Sequence, residues 1–255
     1  MANPGFQLTA LDAAERYDET TPVFMQPLIE QMLEAAAPKD TDSVLDLACG
    51  TGTVARQAPA RVTGVDLNPG MLAVARRRDD TIPWVQASAQ ALPFATDSFD
   101  VAVSNQGVQF FPDAPAAVAE VRRVVRAGGR IAATAWAPLE QSPYLHARSD
   151  ALQQTMPPDV IASFAPIVPV DGEGLLRQAF ETAGLTNVEV RLITASVDLP
   201  PLGQYVAGHM RGTPWGPAFD ALDEAGQQRV IDIVTERIGD GRGVLFSSYL
   251  ATARA

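Results

Sequence analysis

Apolar and polar residues alternate with two periods along the first two thirds of the chain. Runs at Ser43–Leu47, Arg61–Asp66, Ile82–Ala87, Phe99–Ser104 and Arg130–Trp136 read as strands. Between them lie helical spacings. Gly70–Arg78 places Met71, Val74 and Ala75 on one face, after Asn68-Pro69 with proline at the first helical position. Asp113 caps a second helix with an apolar stripe of Ala117, Val118, Val121, Val124 and Val125, closed by Gly128-Gly129. Strands alternating with helices predict a parallel sheet with helices on both faces.

The last third has another texture. Residues 137–171 are rich in proline, with short apolar clusters that suit an irregular insertion of one or two helices. Gly172–Ala183 reads as a helix and Val188–Val197 as a strand. A second insertion spans about 200–240 and includes the amphipathic stretch Gln227–Ile238, and Gly243–Thr252 reads as a closing strand. One domain with two insertions fits this order better than two domains.

Composition narrows the classes. The 255 residues carry 30 acidic and 19 basic side chains, a net charge of −11, which opposes binding to nucleic acid or to an anionic membrane surface. One cysteine forms no internal disulfide. The acidic first 20 residues do not resemble a signal peptide, and no apolar run is long enough to span a bilayer, so a cytoplasmic setting is expected.

Chemistry concentrates at Val44–Ala55, VLDLACGTGTVA. A strand runs into Gly50-Thr51-Gly52, which is expected to open a helix. Glycines there allow close backbone approach, and a helix start offers free N–H groups. Asp66, ending the next strand, suits a ribose diol. The pair points to an adenosine-containing cofactor at the carboxyl ends of the strands. Gly50-x-Gly52-x-x-Ala55 also satisfies a dinucleotide fingerprint. The acid Asp46 inside the strand suits a cationic amino-acid end better than a pyrophosphate, favouring S-adenosylmethionine (SAM) over NAD.

Four segments carry a family resemblance: VLDLACGTG at 44–52, GVDLNPGML at 64–72, ALPFATDSFD at 91–100 and VRRVVRAGGRIAATAW at 121–136. In this order they resemble the class I SAM-dependent methyltransferases, especially the small-molecule branch with ubiquinone and menaquinone methyltransferases. The resemblance implies a Rossmann-like, mostly parallel seven-stranded sheet with helices on both faces and an antiparallel last strand. It assigns 1–40 to an N-terminal helical cover, 40–136 to the SAM-binding half, and 137–171 and 200–240 to substrate-lid insertions. Asp46, Ala48, Gly50, Thr51 and Gly52 would surround the methionine end. Asp66 would hold the ribose, Leu67 and Met71 would pack on the adenine, and Ser88 and Ala89 would meet its edge. Asn105 and Gln106 would lie beside the sulfonium, with Tyr17 covering the cofactor.

Two departures stand out: Ser88 where the family usually has Asp, and Ala48 where it has Gly, disfavoured if its φ is positive. Cys49 reads as a small buried filler. The arginines at 76–78 read as complements to a helix dipole, and Trp136 as core. Tyr144, His146, Tyr205, His209 and Trp215 are the expected substrate-binding residues, within an apolar lid that also draws on Leu145, Phe164 and Met210. No residue is assigned as catalytic base, and no Cys/His cluster suggests a metal. The expected activity is methyl transfer to a small, apolar or aromatic metabolite. The rivals are a SAM-binding protein without methyl transfer and an NAD-dependent oxidoreductase.

Overall fold

A computed structural model describes residues 11–164 and 171–255. Seven strands form one sheet: β1 (Ser43–Leu47), β2 (Arg61–Asp66), β3 (Trp84–Gln86), β4 (Phe99–Asn105), β5 (Val125–Trp136), β6 (Thr186–Val197) and β7 (Val244–Arg254). Their order is β3-β2-β1-β4-β5-β7-β6. The first five pair in parallel, whereas β7 runs antiparallel to both β5 and β6. This is the Rossmann-like sheet the sequence led us to expect, including the reversed last strand.

Helices α1 (Leu11–Thr20) and α2 (Pro22–Ala36) precede the sheet, and α3 (Pro69–Arg78) and α4 (Ala114–Val124) connect its parallel strands. Helices α5 (Pro143–Thr155), α6 (Pro158–Phe164) and α7 (Gly172–Thr182) follow β5. Between β6 and β7 come α8 (Leu202–Arg211), α9 (Gly216–Asp220) and α10 (Glu224–Ile238). The local cap signals operate as written. Asn68 accepts from Gly70 and Met71 N–H at 2.9 and 3.3 Å, with Pro69 at the first turn, and Asp113 accepts from Ala116 N–H at 2.9 Å.

Strand alternation divides the core into two layers. Val44, Val101, Val103 and Ala132 pack with α2, α5, α8 and α10 on one face. Leu45, Leu47, Ala102 and Ala133 pack with α4 and α7 on the other. The helices after β5 and β6 are thus part of a main core layer. Helix α1 is tied across α3 by ion pairs Arg77–Glu15 and Arg78–Asp18, both 2.6 Å. The arginines ending α3 hold α1 as well as complementing a dipole.

One expected helix is broken. Residues 51–57 form consecutive turns, although Arg56 N–H reaches Gly52 O at 3.1 Å. The Ala55 N–H, which a helix would donate to Thr51 O, goes to the Asp46 carboxylate at 3.0 Å. The Thr51 carbonyl is taken by the Arg56 guanidinium. Strand β5 also starts earlier than expected: α4 ends at Val124, and Gly128-Gly129 falls inside the strand, where its pairing with β4 shifts register.

Candidate functional site

The carboxyl ends of β1, β2 and β4 open into a cavity of about 460 Å³, roofed by α1, α2, α5 and α8 and the segment 213–215. Ala48, Gly50, Asp66, Leu67, Met71, Ser88, Ala89, Asn105 and Gln106 line it from the strand side, with Tyr17 from α1. A smaller space of about 40 Å³ beside the loop is lined by Asp46, Ala48, Gly50, Thr51, Asn105 and Tyr17.

Gly52, expected among the cofactor residues, lines neither space. Its φ is +84°, and a Cβ there would stand 2.4 Å from the Trp84 ring, so this glycine serves packing under the loop. Gly50, at φ +55°, is the one with open space where a Cβ would stand. Ala48 has φ +56° and Gln106 +57°, so two non-glycine residues hold left-handed backbone at the cavity wall.

Asp66 organises the rim. Its Oδ2 accepts from Gly50 N–H and its Oδ1 from Asn68 N–H, both at 2.8 Å. Each oxygen retains acceptor capacity, as an ionised carboxylate has about four lone-pair sites. Burial raises its pKa, and these N–H donors oppose the rise. Asp46 lies deeper. It follows Val44 by two residues, which turns its carboxylate into the apolar layer, and only 1% of the residue is exposed. Oδ1 has no hydrogen-bond partner. Burial pushes its pKa up to about 8; the Asp66 charge adds to this, while the Ala55 N–H and Arg56 oppose it.

The Tyr17 hydroxyl is held un-ionised by burial first, then by the charges of Asp66 and Asp18. Asn105 Oδ1 accepts from Thr134 Oγ1 at 2.8 Å, leaving its Nδ2 for the cavity. The Gln106 amide is turned away and donates to Ser248 Oγ at 2.8 Å. Cys49 behaves as filler: burial, then Asp46 and Asp66, raise its thiol pKa well above its ordinary value.

The expected lid residues separate. His209 and Trp215 line the cavity. Tyr144 is fully buried behind it, its hydroxyl 2.9 Å from His209 Nδ1. Tyr205 is also buried, with its hydroxyl on Thr20 O at 3.1 Å. His146 is partly exposed beside Asp150 at 3.8 Å. Tyr144, His146 and Tyr205 therefore do not line the cavity: the two tyrosines stack behind His209, and His146 turns to Asp150. Met210 is buried in the core, and the Phe164 side chain lies outside the described residues. The cavity is completed by Leu145, expected in the lid, and by Phe24, Phe110, Phe111, Leu139, Arg148 and Trp136, the last read from sequence as core. Burial, then the Arg148 charge, depress the His209 pKa well below its ordinary value.

Unpartnered polar atoms gather around this space. Asp46 Oδ1, Thr51 Oγ1 and Thr21 Oγ1 are buried without hydrogen-bond partners. A polar ligand in this space would have these atoms to bond. A rim carboxylate, an open glycine and an apolar floor at Leu67 and Met71 fit a ribose, an amino-acid end and a base. Among the described residues no His/Cys/Asp/Glu group could hold a metal, and no helix is long and apolar enough to cross a membrane.

A methyltransferase-domain family matches residues 45–133. The ubiquinone/menaquinone biosynthesis C-methyltransferase UbiE of Paracoccus denitrificans is 41% identical over 111 residues, covering 39% of this chain and 44% of that one. The malonyl-[acyl-carrier protein] O-methyltransferase of Serratia marcescens is 35% identical over 122 residues, covering 47% and 48%. The chain thus matches about half or less of the length of these relatives. Among solved structures, phosphoethanolamine N-methyltransferase 2 of Haemonchus contortus, in complex with S-adenosyl-L-methionine, shares the fold. Its TM-score is 0.58 at 17% identity, over 89% of this chain and 52% of that one. The matched segment carries the strand-end half of the cavity, from Asp46 to Gln106. Residues 45–133 match a methyltransferase domain, and the sheet built around them has the Rossmann-like fold of that solved methyltransferase.

Proposed function

We propose that the protein transfers a methyl group from SAM to a small, apolar or aromatic metabolite. The observation that carries the reading is one continuous cavity, with the Asp66–Gly50 rim at the strand ends and an aromatic wall under the helices. Asp66 would hold the ribose, Leu67, Met71, Ser88 and Ala89 the adenine, and Asp46, Ala48, Gly50 and Thr51 the methionine end. Asn105 Nδ2 and the Gln106 backbone would flank the reactive end under Tyr17. When bound, SAM supplies an electrophilic methyl group on a sulfonium.

The chain's own contribution is positioning and exclusion of water. The roof from α1, α2, α5 and α8 covers the apolar wall, and Trp136, Phe24 and Trp215 offer surfaces against which an acceptor ring would be held. The net charge of −11 speaks against a nucleic-acid substrate, and a single buried cysteine suits a cytoplasmic setting.

Calorimetry with S-adenosylhomocysteine and labelled methyl transfer into phenols, amines and quinols test the reading. Asp66→Ala is expected to cost about 1.5–3 kcal/mol of cofactor affinity through lost charged hydrogen bonds. Unchanged affinity would remove Asp66 from the ribose. Cofactor binding without transfer to any acceptor would favour a SAM-binding protein that does no methyl transfer, and stabilisation by NAD alone would favour an oxidoreductase.

A further inference from the structure

Arg148 is a charge in the cavity without a counter-charge. It lies on α5 one turn after Leu145, and both line the cavity. Its Nε–H is sealed from water without a hydrogen-bond partner. Among the described residues no carboxylate pairs with it. The acid two positions on, Asp150, is engaged by Arg237 and His146. Residues 1–10 and 165–170 contain no Asp or Glu. The groups that feel its charge are Tyr144, Tyr205 and His209, and none of them is an anion at neutral pH.

Burial lowers the guanidinium pKa from its ordinary value, yet arginine stays protonated at neutral pH. The residue is half-buried, and a cation whose Nε–H is sealed without a partner costs stability, whereas an apolar side chain of the same length would not. The same cavity has aromatic and aliphatic walls, Trp136, Leu139, Leu145 and Trp215. We propose that the methyl acceptor is an apolar acid, whose carboxylate or equivalent oxyanion is received by Arg148 while its carbon body fills the aromatic side of the cavity. That this acid is the acceptor rests on the methyltransferase reading; that the cavity receives an anion rests on Arg148 alone. An oxyanion is already deprotonated at neutral pH. It therefore suits a cavity whose one lining histidine is held neutral by burial and engaged by Tyr144 at Nδ1.

The test is calorimetric titration, with and without S-adenosylhomocysteine, of 1-naphthoate against 1-naphthamide and of 1-naphthyl phosphate against 1-naphthol. The expected result is an advantage of about tenfold or more for at least one anion over its neutral partner, the size of a charge-assisted hydrogen bond. Which anion gains distinguishes carboxylate from phosphate. The advantage should fall to nearly nothing in Arg148→Met and survive in part in Arg148→Lys. The ligand-free Arg148→Met protein should also melt at a higher temperature, where a merely structural arginine would leave a less stable variant. Equal binding of anion and neutral partner by the unaltered protein, absence of binding by all four, or an advantage that persists in Arg148→Met would each overturn the proposal. The comparison within the unaltered protein needs no variant to fold. Homocysteine-nucleoside binding without anion preference would overturn this inference alone. Anion preference without such binding would overturn the methyltransferase reading and leave Arg148 as an anion site.

Discussion

Asp46→Asn separates the electrostatics of the site from its geometry. Asp46 titrates at about 8 in the fold against an ordinary value of 3.8. Between those values the folded chain keeps a proton that the unfolded chain has lost. Stability is therefore fully present below pH 3.8 and declines as pH rises to 8, at about 1.4 kcal/mol per pH unit. The accumulated loss is on the order of 6 kcal/mol for a side chain only 1% exposed. Asparagine keeps an acceptor for the Ala55 N–H and cannot ionise. Urea denaturation at pH 4.5, 6, 7.5 and 8.5 should give nearly equal midpoints for the two proteins at the acid end. The variant should then become the more stable by an increasing margin toward pH 8.5. A margin that does not change with pH, or one that favours Asp46 throughout, would refute the reasoning. The cofactor should reverse the preference. A cationic amino group beside Asp46 favours its ionised form, so S-adenosylhomocysteine binding should release a proton below pH 8. Affinity of the unaltered protein should rise from pH 6 to 8, while that of the variant stays weaker and flat. Calorimetry in two buffers of different ionisation heat reads the proton directly.

Two backbone predictions test the loop. Ala48→Gly relieves a φ of +56° and should stabilise the protein by about 1 kcal/mol, read as a raised denaturation midpoint; a lower midpoint would show that the alanine methyl packs usefully. Gly52→Ala forces a Cβ to within 2.4 Å of the Trp84 ring at a φ of +84° and should cost about 2–4 kcal/mol. Adding Trp84→Leu to that variant should recover part of the loss, and strictly additive losses would disprove the contact.

The parts of this molecule legible in sequence are those fixed within a few residues of one another. Asn68 and Asp113 cap helices through N–H groups two or three positions away. The alternation of Val44 with Leu45 divides two core layers without help from elsewhere. The mostly parallel seven-stranded sheet and its reversed last strand were accessible through the resemblance of residues 40–136, and the structure bears them out. Asp46 shows where local pattern misleads. Glycine turns before an apolar run read as a helix start, but one buried carboxylate nine residues back captures the Ala55 N–H and leaves turns instead.

The helical wall was misread for a different reason. Residue type named Tyr144, His146 and Tyr205 as substrate contacts, yet type does not say which side chains the fold seals beneath the wall of the cavity and which it exposes to it. Neighbouring positions on a helix differ by about 100°. Leu145 and Arg148, three apart, share the cavity face, while Tyr144 turns into the core and His146 meets Asp150. Which face turns inward is set by the packing of α5 against α10 and β7, partners that lie some 70 to 110 residues away in the chain. The periodicity within α5 carried one usable sign. Arg148 stands at i+3 from Leu145 and i+4 from Tyr144, a cation on the apolar side of its helix. Such a residue is either paired or waiting for a partner, and its environment shows no pair.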